Sequence, residues 1–562
     1  MRQTQLQPGH WEDSVTFRAQ SGPPEERTGA GYDTKDDEQD QQDYPGQSRD
    51  GRQDALTSRT SGAPAATTPR KLHVGRGKAR ISGTKKAVPR KQEHHEALAV
   101  VKYPPNPPPL LEPDADEPYS LLPSAVPNGV VKRYMHSLPN VLAKLVSNAG
   151  LTGNYGRSFA STMMASLSQQ PAQLHAMMFA VMVHDRIQQG ISEPNTTELL
   201  VGTEAIRHLN REISDPNPER ALSDSNIWAV LVLAYSGRED RIRRGQSYPR
   251  QSFLRELQSI HIYLKMEIVI EHVLGLIKMM ELLGPLSKIK THGIATVVSL
   301  CGIMGACRNI GRPIFPFISH TATFVREDGR LSVTSYERDA VAGDLGQLGT
   351  SFRHVWSAGS STPSYIDDLL AVIQDICDFT VVVENHASGR WVPRTSPVII
   401  DQRNYVQHSL MSLPSAEELL APKPADVALD DSQYETCRLA CIIYSFLVVF
   451  PVPPVVGPFE TLIDRLKSAL QTTVWKSFGR PRRKLHLWTL IMGAIGSIGL
   501  PDRPWFLLRI MEVLDDDDFD MAGWQDLKGL LQSFLWHPRT SDLDGLDVWK
   551  AVQVGVNVPD EI

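Results

Sequence analysis

The stretch LRELQSIHIYLKMEIVIEHVLGLIKMMELLGP, Leu254 to Pro285, decides the fold class. From Leu254 to Leu283 apolar residues fall at nearly every third or fourth place, the repeat of a helix with a buried side. Gly284-Pro285 then stops it, because glycine ends a helix easily and proline cannot continue one. Upstream the pattern recurs. Leu142, Leu145 and Val146 sit at helical spacing, as do Met177, Met178, Val181 and Met182. Ile206, Leu209 and Ile213 follow an i, i+3, i+7 order that predicts one buried helix face. Pro216 and Pro218 close that segment, and Ser223 or Asp224 can cap the apolar run Ile227 to Ala234. Downstream, His292 to Cys307, Asp367 to Phe379, Ala416 to Leu420, Cys437 to Phe450, Phe459 to Leu470 and Lys484 to Gly499 continue the style. Thr380 to Glu384, Thr-Val-Val-Val-Glu, is the one tempting strand, and it is short. No repeat of fixed period marks a solenoid. The reading is an all-α domain of about 440 residues.

Bulk composition agrees with a globular chain. It has 562 residues, a net charge of −6, 41% apolar and 22% charged residues. The longest apolar stretch, Leu439 to Val456, contains Ser445 and is broken by Pro451, Pro453 and Pro454. About 20 uninterrupted apolar residues are needed to span a bilayer, so a membrane protein is not expected. No charged-then-apolar leader opens the sequence, and secretion is not expected either. Five cysteines without a CxxC pair fit reduced thiols rather than a disulfide framework.

The first 116 residues read differently. The first 97 carry twelve large apolar residues with no period, too few to offset the entropy of ordering, which predicts a disordered arm. Asp33 to Asp43 is acidic. Arg70 to Lys91 is purely basic, with Arg70, Lys71, Arg76, Lys78, Arg80, Lys85, Lys86, Arg90 and Lys91 and no acid among them. Such a run attracts the acidic surface of an import receptor or the phosphates of DNA. The core Lys85-Lys86-Ala-Val-Pro-Arg90-Lys91 looks like a nuclear import signal; a solvated tail is the third reading. Tyr103 to Pro109 then reads as a polyproline spacer.

Sites of chemistry are sparse. Asp516, Asp517 and Asp520 form an Asp-Asp-x-x-Asp arrangement that could bridge Mg²⁺ to a diphosphate, as in all-α terpene cyclases. Those enzymes need a second motif downstream, and none fits, so an exposed acidic turn is the expected role. Cys437 and Cys441, and likewise Cys301 and Cys307, lack a histidine at ligand spacing and read as small buried hydrophobes. His175, His184 and His272 read as satisfied core or rim histidines, and His94-His95 in the arm as solvated. Gly493, Gly496 and Gly499 suggest close helix packing rather than a phosphate loop. No catalytic, cofactor-binding or metal site is expected. Trp488, Trp505, Trp524, Trp536 and Trp549 crowd the last 75 residues and predict a terminal subdomain locked onto the core.

Those tryptophans belong to an ordered series of motifs. Leu174-His-Ala-Met-Met178 with His184-Asp185 comes first. Ala205-Ile206, Leu209-Asn210, Asp215-Pro216, Leu222-Ser223-Asp224 and Ala229-Val230 follow, then His272-Val-Leu-Gly275-Leu276, Met280 and Leu283-Gly284. Pro313-Ile-Phe315-Pro316, then Cys437-Arg438-Leu-Ala440 with Ile443-Tyr444, Phe450-Pro451 and Pro453-Pro454, lead to Leu487-Trp488, Arg503-Pro-Trp505-Phe506 and Leu530 to Trp536. The series covers roughly residues 117 to 555 and resembles the fungal-specific transcription-factor domain. That helical regulatory region is found beside two-zinc, six-cysteine clusters and in relatives lacking them. This sequence departs from the pattern twice. Its first cysteine is Cys301, so no zinc cluster precedes the helical region, and Gly284-Pro285 replaces the usual double glycine. Phosphate contacts alone do not discriminate bases.

The resemblance implies a nuclear, non-enzymatic regulator of a metabolic or secondary-metabolite gene set. It would consist of a disordered arm (1–116) and a helical regulatory domain (117–562). Its expected partners are transcription factors or chromatin proteins, DNA through the basic arm, and a second subunit in a homo- or heterodimer. Two rivals stay open: a helical scaffold outside transcription, and an Mg²⁺-dependent isoprenoid enzyme using the aspartates.

Overall fold

Helical periodicity translates into helices throughout the computed structural model, which describes residues 126–146, 154–167, 169–237, 239, 254–319, 333–356, 363–390, 396–420, 431–516, 519 and 521–555. The arm, its basic residues Arg70 to Lys91, and Asp517 and Asp520 lie outside the described residues. All described residues fall in one compact unit, Pro104–Ile562. They contain no strand, and the fold is all-α.

The first half is built from α1 (Asn128–Val146), α2 (Asn154–Leu167), α3 (Pro171–Gln188), α4 (Thr196–Ile213), α5 (Asp224–Ala234), α6 (Ile270–Leu283) and α7 (Ile294–Asn309). The second half comprises α8 (Ser364–Ala387), α9 (Ser396–Ser412), α10 (Asp431–Leu447), α11 (Val456–Gln471), α12 (Arg480–Gly496), α13 (Arg503–Leu514), α14 (Trp524–Gln532) and α15 (Pro538–Val554), with shorter turns between. Local chemistry sets several ends. Of the two cap candidates Ser223 is the one that caps α5, accepting from Asn226 N, whereas Asp224 is the first residue of the helix and its Oδ2 accepts from Lys290 N and Thr291 N. Gly284, at φ 98°, ends α6 in the left-handed region that glycine enters freely.

The run from Leu254 to Leu283 does not form one helix. It breaks after a short turn because Gln258 and Ser259 hold φ near 55° and 54°. Such backbone costs about 1 kcal/mol per residue in a non-glycine. Gln258 is held there by its own side chain. Its Nε2 donates to Leu145 O at 2.8 Å, while its Oε1 accepts from Arg403 Nη2 at 2.5 Å and Asn404 Nδ2 at 3.0 Å. Arg403 is fully buried, donates also to Leu257 O, and lies over the Phe450 ring. A periodicity reading sees only the apolar residues and misses this polar pin between the halves.

Thr380–Glu384 is helix, not strand. It lies inside α8, where Val381, Val382 and Val383 are all buried and Thr380 Oγ1 donates back to Ile376 O at 2.8 Å. β-branched residues are tolerated in a helix when packing on every side replaces propensity.

One apolar core runs from α1 to α15, and its largest fully buried side chains include Trp228, Trp488 and Trp536. The C-terminal tryptophans lock the last helices as expected. Trp488 Nε1 donates to Leu535 O at 3.1 Å, and Trp536 Nε1 to Asp542 Oδ1 at 2.8 Å. A Cβ at Gly493 would meet Phe506 Cε1 at 2.2 Å, and one at Gly496 would meet Ile463 Cδ1 at 3.0 Å, so these glycines let α12 approach its neighbours. Gly499 instead supplies a turn at φ 79°. Among the described residues, no helix is long and apolar enough to cross a membrane.

Candidate functional site

Helix α4 owes its position to two buried attachments. Asn195 caps it by accepting from Glu198 N at 2.9 Å. Glu198 in turn holds Arg186 Nε of α3 at 3.0 Å with both side chains almost wholly buried, and Arg186 donates onward to Ile191 O and Ser192 O. Almost three turns further along α4, His175 and His208 stack at 5.0 Å with rings 18° apart. Burial pushes both imidazoles below their ordinary pKa, which favours the neutral rings that can stack.

These attachments determine which face of α4 meets water. Val201, Ala205, His208 and Leu209 pack inward against the core. The expectation of a buried Ile206–Leu209–Ile213 face is therefore wrong for two of its three members. Leu209 is 4% exposed, but Ile206 and Ile213 are each 40% exposed. With Leu199 they repeat every seven residues, and that spacing traces a second stripe along the helix.

The outward isoleucines form one wall of a groove of about 560 Å³. Helices α4 and α6 both pack on α5 and leave it between them. Val230 of α5 and Leu222 contribute its floor, and Met279 and Leu282 of α6 its far wall. Gly275 faces the same space: a Cβ there would touch only Val230 Cγ1, at 4.0 Å. Glycine inside a helix costs about 1 kcal/mol relative to alanine, so α6 carries a local penalty at the point where the groove is open. Glu271, His272 and Lys278 add polar groups, with the His272 imidazole pushed down by burial. Leu274 and Leu282 of α6 are 48% and 63% exposed. A concave, mostly apolar space with a few polar groups is the form that ligand and helix sites take.

A second cavity, of about 390 Å³, lies between the short helix Thr350–Trp356 and α8, where Phe352, Arg353, Gln374 and Cys377 line it. It is smaller, and among the described residues none of the exposed large apolar side chains lines it.

The other sequence-derived candidates fall elsewhere. Asp516 is paired with Arg483 Nη1 at 3.1 Å, beside the start of α12, and accounts for part of the acidic turn as an internal ion pair. The five cysteines are all buried and free of disulfides, and burial pushes the Cys307 thiol up to about 12. Among the described residues no three His, Cys, Asp or Glu side chains are grouped to hold a metal ion. His184 is a core histidine, but not a satisfied one, since its Nδ1 has no hydrogen-bond partner among the described residues. Burial, then the nearby His261 and Lys144, lowers its pKa to about 4. The groove itself was not anticipated. Its signals were the seven-residue spacing of Leu199, Ile206 and Ile213 and the lone mid-helix Gly275.

Compared with known proteins, the chain matches no family model, no curated protein and no solved structure.

Proposed function

We propose that this chain is a nuclear transcription-regulator-like protein that works by binding other macromolecules rather than by catalysis. The observation that carries the binding reading is the open α4–α6 groove, whose apolar walls stand 40–63% exposed at Ile206, Ile213 and Leu282. Apolar surface kept accessible and contiguous is costly unless something covers it. The regulator reading rests on the ordered motif series. Leu174–Met178 lies in α3, Ala205–Asn210 in α4, Ala229-Val230 in α5, His272–Leu283 in α6 and Cys437–Tyr444 in α10. Pro313–Pro316 and Phe450–Pro454 follow the ends of α7 and α10, as a helical regulatory domain would arrange them. Nuclear entry, together with DNA phosphate contact, is assigned to Arg70, Lys71, Arg76, Lys78, Arg80, Lys85, Lys86, Arg90 and Lys91.

The test is RNA profiling of a strain lacking the gene, of its parent, and of strains carrying Ile206→Asp or Lys85→Ala/Lys86→Ala/Arg90→Ala/Lys91→Ala. A coherent gene set should change in the null strain and in both variants, with the second variant retained in the cytoplasm. An unchanged transcriptome in the null strain would refute the proposal.

A further inference from the structure

We infer that the groove seats an amphipathic helix of another protein, one whose apolar stripe is flanked by lysines and arginines. This inference rests on reading the groove as a docking surface and names the chemistry of its occupant.

The extent of the apolar surface selects a helix. On α4 the groove is lined by Ile206, Leu209 and Ile213. Leu199, seven residues before Ile206, falls within about 20° of it around the helix, on the same side but beyond the lining. It is 56% exposed, so the apolar line from Leu199 to Ile213 runs about 21 Å at 1.5 Å per residue. Across the groove Leu282 lines the wall of α6, and Leu274 stands on the outer flank of the same helix, exposed and again outside the lining. A small molecule filling the groove would leave Leu199 and Leu274 in water. A helix of about four turns, with apolar residues at i, i+3 or i+4 and i+7, presents a stripe of the required length. The floor suits such an occupant. Helices α4 and α6 both pack on α5 and leave Val230 uncovered between them, which is where a further helix can settle its ridge.

Charge selects the flanks of that helix. Most ionised groups around the groove are matched within the molecule. Arg220 holds Asp215 at 3.2 Å, Lys278 holds Glu281 at 3.1 Å, and Arg207 holds Glu204 at 2.6 Å. Two exposed carboxylates have no salt bridge among the described residues. Glu271 lines the groove on α6, and Glu219 stands at its edge between the lining residues Pro218 and Ala221. Arg211 is exposed as well, but it lies about 140° round α4 from Ile206 and so faces away from the groove. The unmatched charge at the groove is therefore negative on two separate elements. Exposed ion pairs add little affinity one by one, so the apolar stripe supplies most of the binding and the carboxylates sort basic partners from acidic ones.

The experiment displays a randomised library of helix-forming peptides, each of about 18 residues or about 27 Å as a helix, and selects on the full chain. Circular dichroism confirms that each variant keeps the wild-type helical spectrum. Wild type should enrich peptides with an apolar i, i+3 or i+4, i+7 stripe and with Lys or Arg beside it. The tightest of these, labelled and titrated by fluorescence anisotropy, should bind Ile206→Asp about tenfold or more weakly. It should lose a similar factor on Glu219→Lys/Glu271→Lys, and its affinity for wild type should fall as salt is raised. Selection repeated on Glu219→Lys/Glu271→Lys should return peptides with Asp or Glu beside the stripe. No enriched sequence, enriched peptides that bind Ile206→Asp as tightly as wild type, or neutral or acidic flanks from the wild-type selection would overturn the inference. Self-association of wild type that Ile206→Asp abolishes would also overturn it, by giving the groove to a second copy. The broader proposal fails separately. Basic peptides selected as described, with an unchanged null-strain transcriptome, leave the helix site and remove the regulator. An Ile206→Asp strain that loses the gene set, with no basic peptide selected, keeps the groove as a docking surface and removes this occupant.

Discussion

His537 Nε2 lies 3.0 Å from Glu384 Oε2, joining the last helix, α15, to the longest, α8, with both side chains almost wholly out of water. The contact is part of a closed set. Arg539 Nε reaches Glu384 Oε1 at 2.8 Å, Ser388 Oγ donates to the same oxygen at 2.6 Å, and His537 Nδ1 meets Thr540 Oγ1 at 2.8 Å. Burial alone would raise the carboxyl pKa, but hydrogen bonds from His537, Ser388 and Arg539 outweigh it and hold Glu384 at about 2.

A depressed folded-state pKa contributes stability above the unfolded value and loses it as pH falls through the folded one. Wild type should therefore lose stability progressively from about pH 5 towards pH 2. Glu384→Gln should flatten that part of the profile and cost about 3 kcal/mol at neutral pH, because it strips the charge from a buried, fully bonded group. Urea unfolding at a series of pH values measures both.

Gly493 and Gly275 predict opposite signs for the same substitution. Gly493→Ala drives a methyl to 2.2 Å from Phe506 Cε1 and should destabilise by about 1–3 kcal/mol. Gly275→Ala meets nothing nearer than 4.0 Å and should stabilise by about 0.5–1 kcal/mol through helix propensity. Denaturation midpoints of the two variants, compared with wild type, decide the matter.

Asp516 provides a test of the isoprenoid alternative. Its ion pair with Arg483 is partly open to solvent, so Asp516→Asn should change stability by less than about 1 kcal/mol. Added Mg²⁺ should leave the melting temperature of wild type where it was, as measured by scanning calorimetry. A magnesium-dependent rise that Asp516→Asn abolishes would point back to diphosphate chemistry.

Much of this architecture could be read from the sequence, and what escaped was specific. Apolar spacing gave the helices, Gly284-Pro285 gave the end of α6, and crowded tryptophans gave the terminal lock, because these depend on neighbours a turn or two away. The break at Gln258 escaped because its cause, Arg403, is a long-range polar partner. The Ile206–Leu209–Ile213 face was misassigned for a related reason. An i, i+3, i+7 pattern identifies an apolar stripe but does not say whether its partner lies within the same molecule. At Thr380–Glu384 three consecutive valines favoured a strand in isolation, and burial on every side overruled them.

Thiol accessibility follows from the packing of α7, α8 and α10. Cys301, Cys307, Cys377, Cys437 and Cys441 are buried, so none should react with a maleimide in the native protein, and all five should react in denaturant. Mass spectrometry after timed labelling counts them. Rapid native labelling of any one would show that its helix opens locally.

The placement of Trp536 and His537 in the core has a consequence during synthesis. Trp488 and Glu384 wait for partners that lie 47 and 153 residues further along the chain, so the second half cannot close its core until the ribosome has added them. A premature stop anywhere upstream of Trp536 should leave Trp488 facing a void and hand the product to proteolysis. Nonsense alleles between the Trp488 and Trp536 codons would then behave like full deletions, and protein truncated before α15 should not accumulate in the cell.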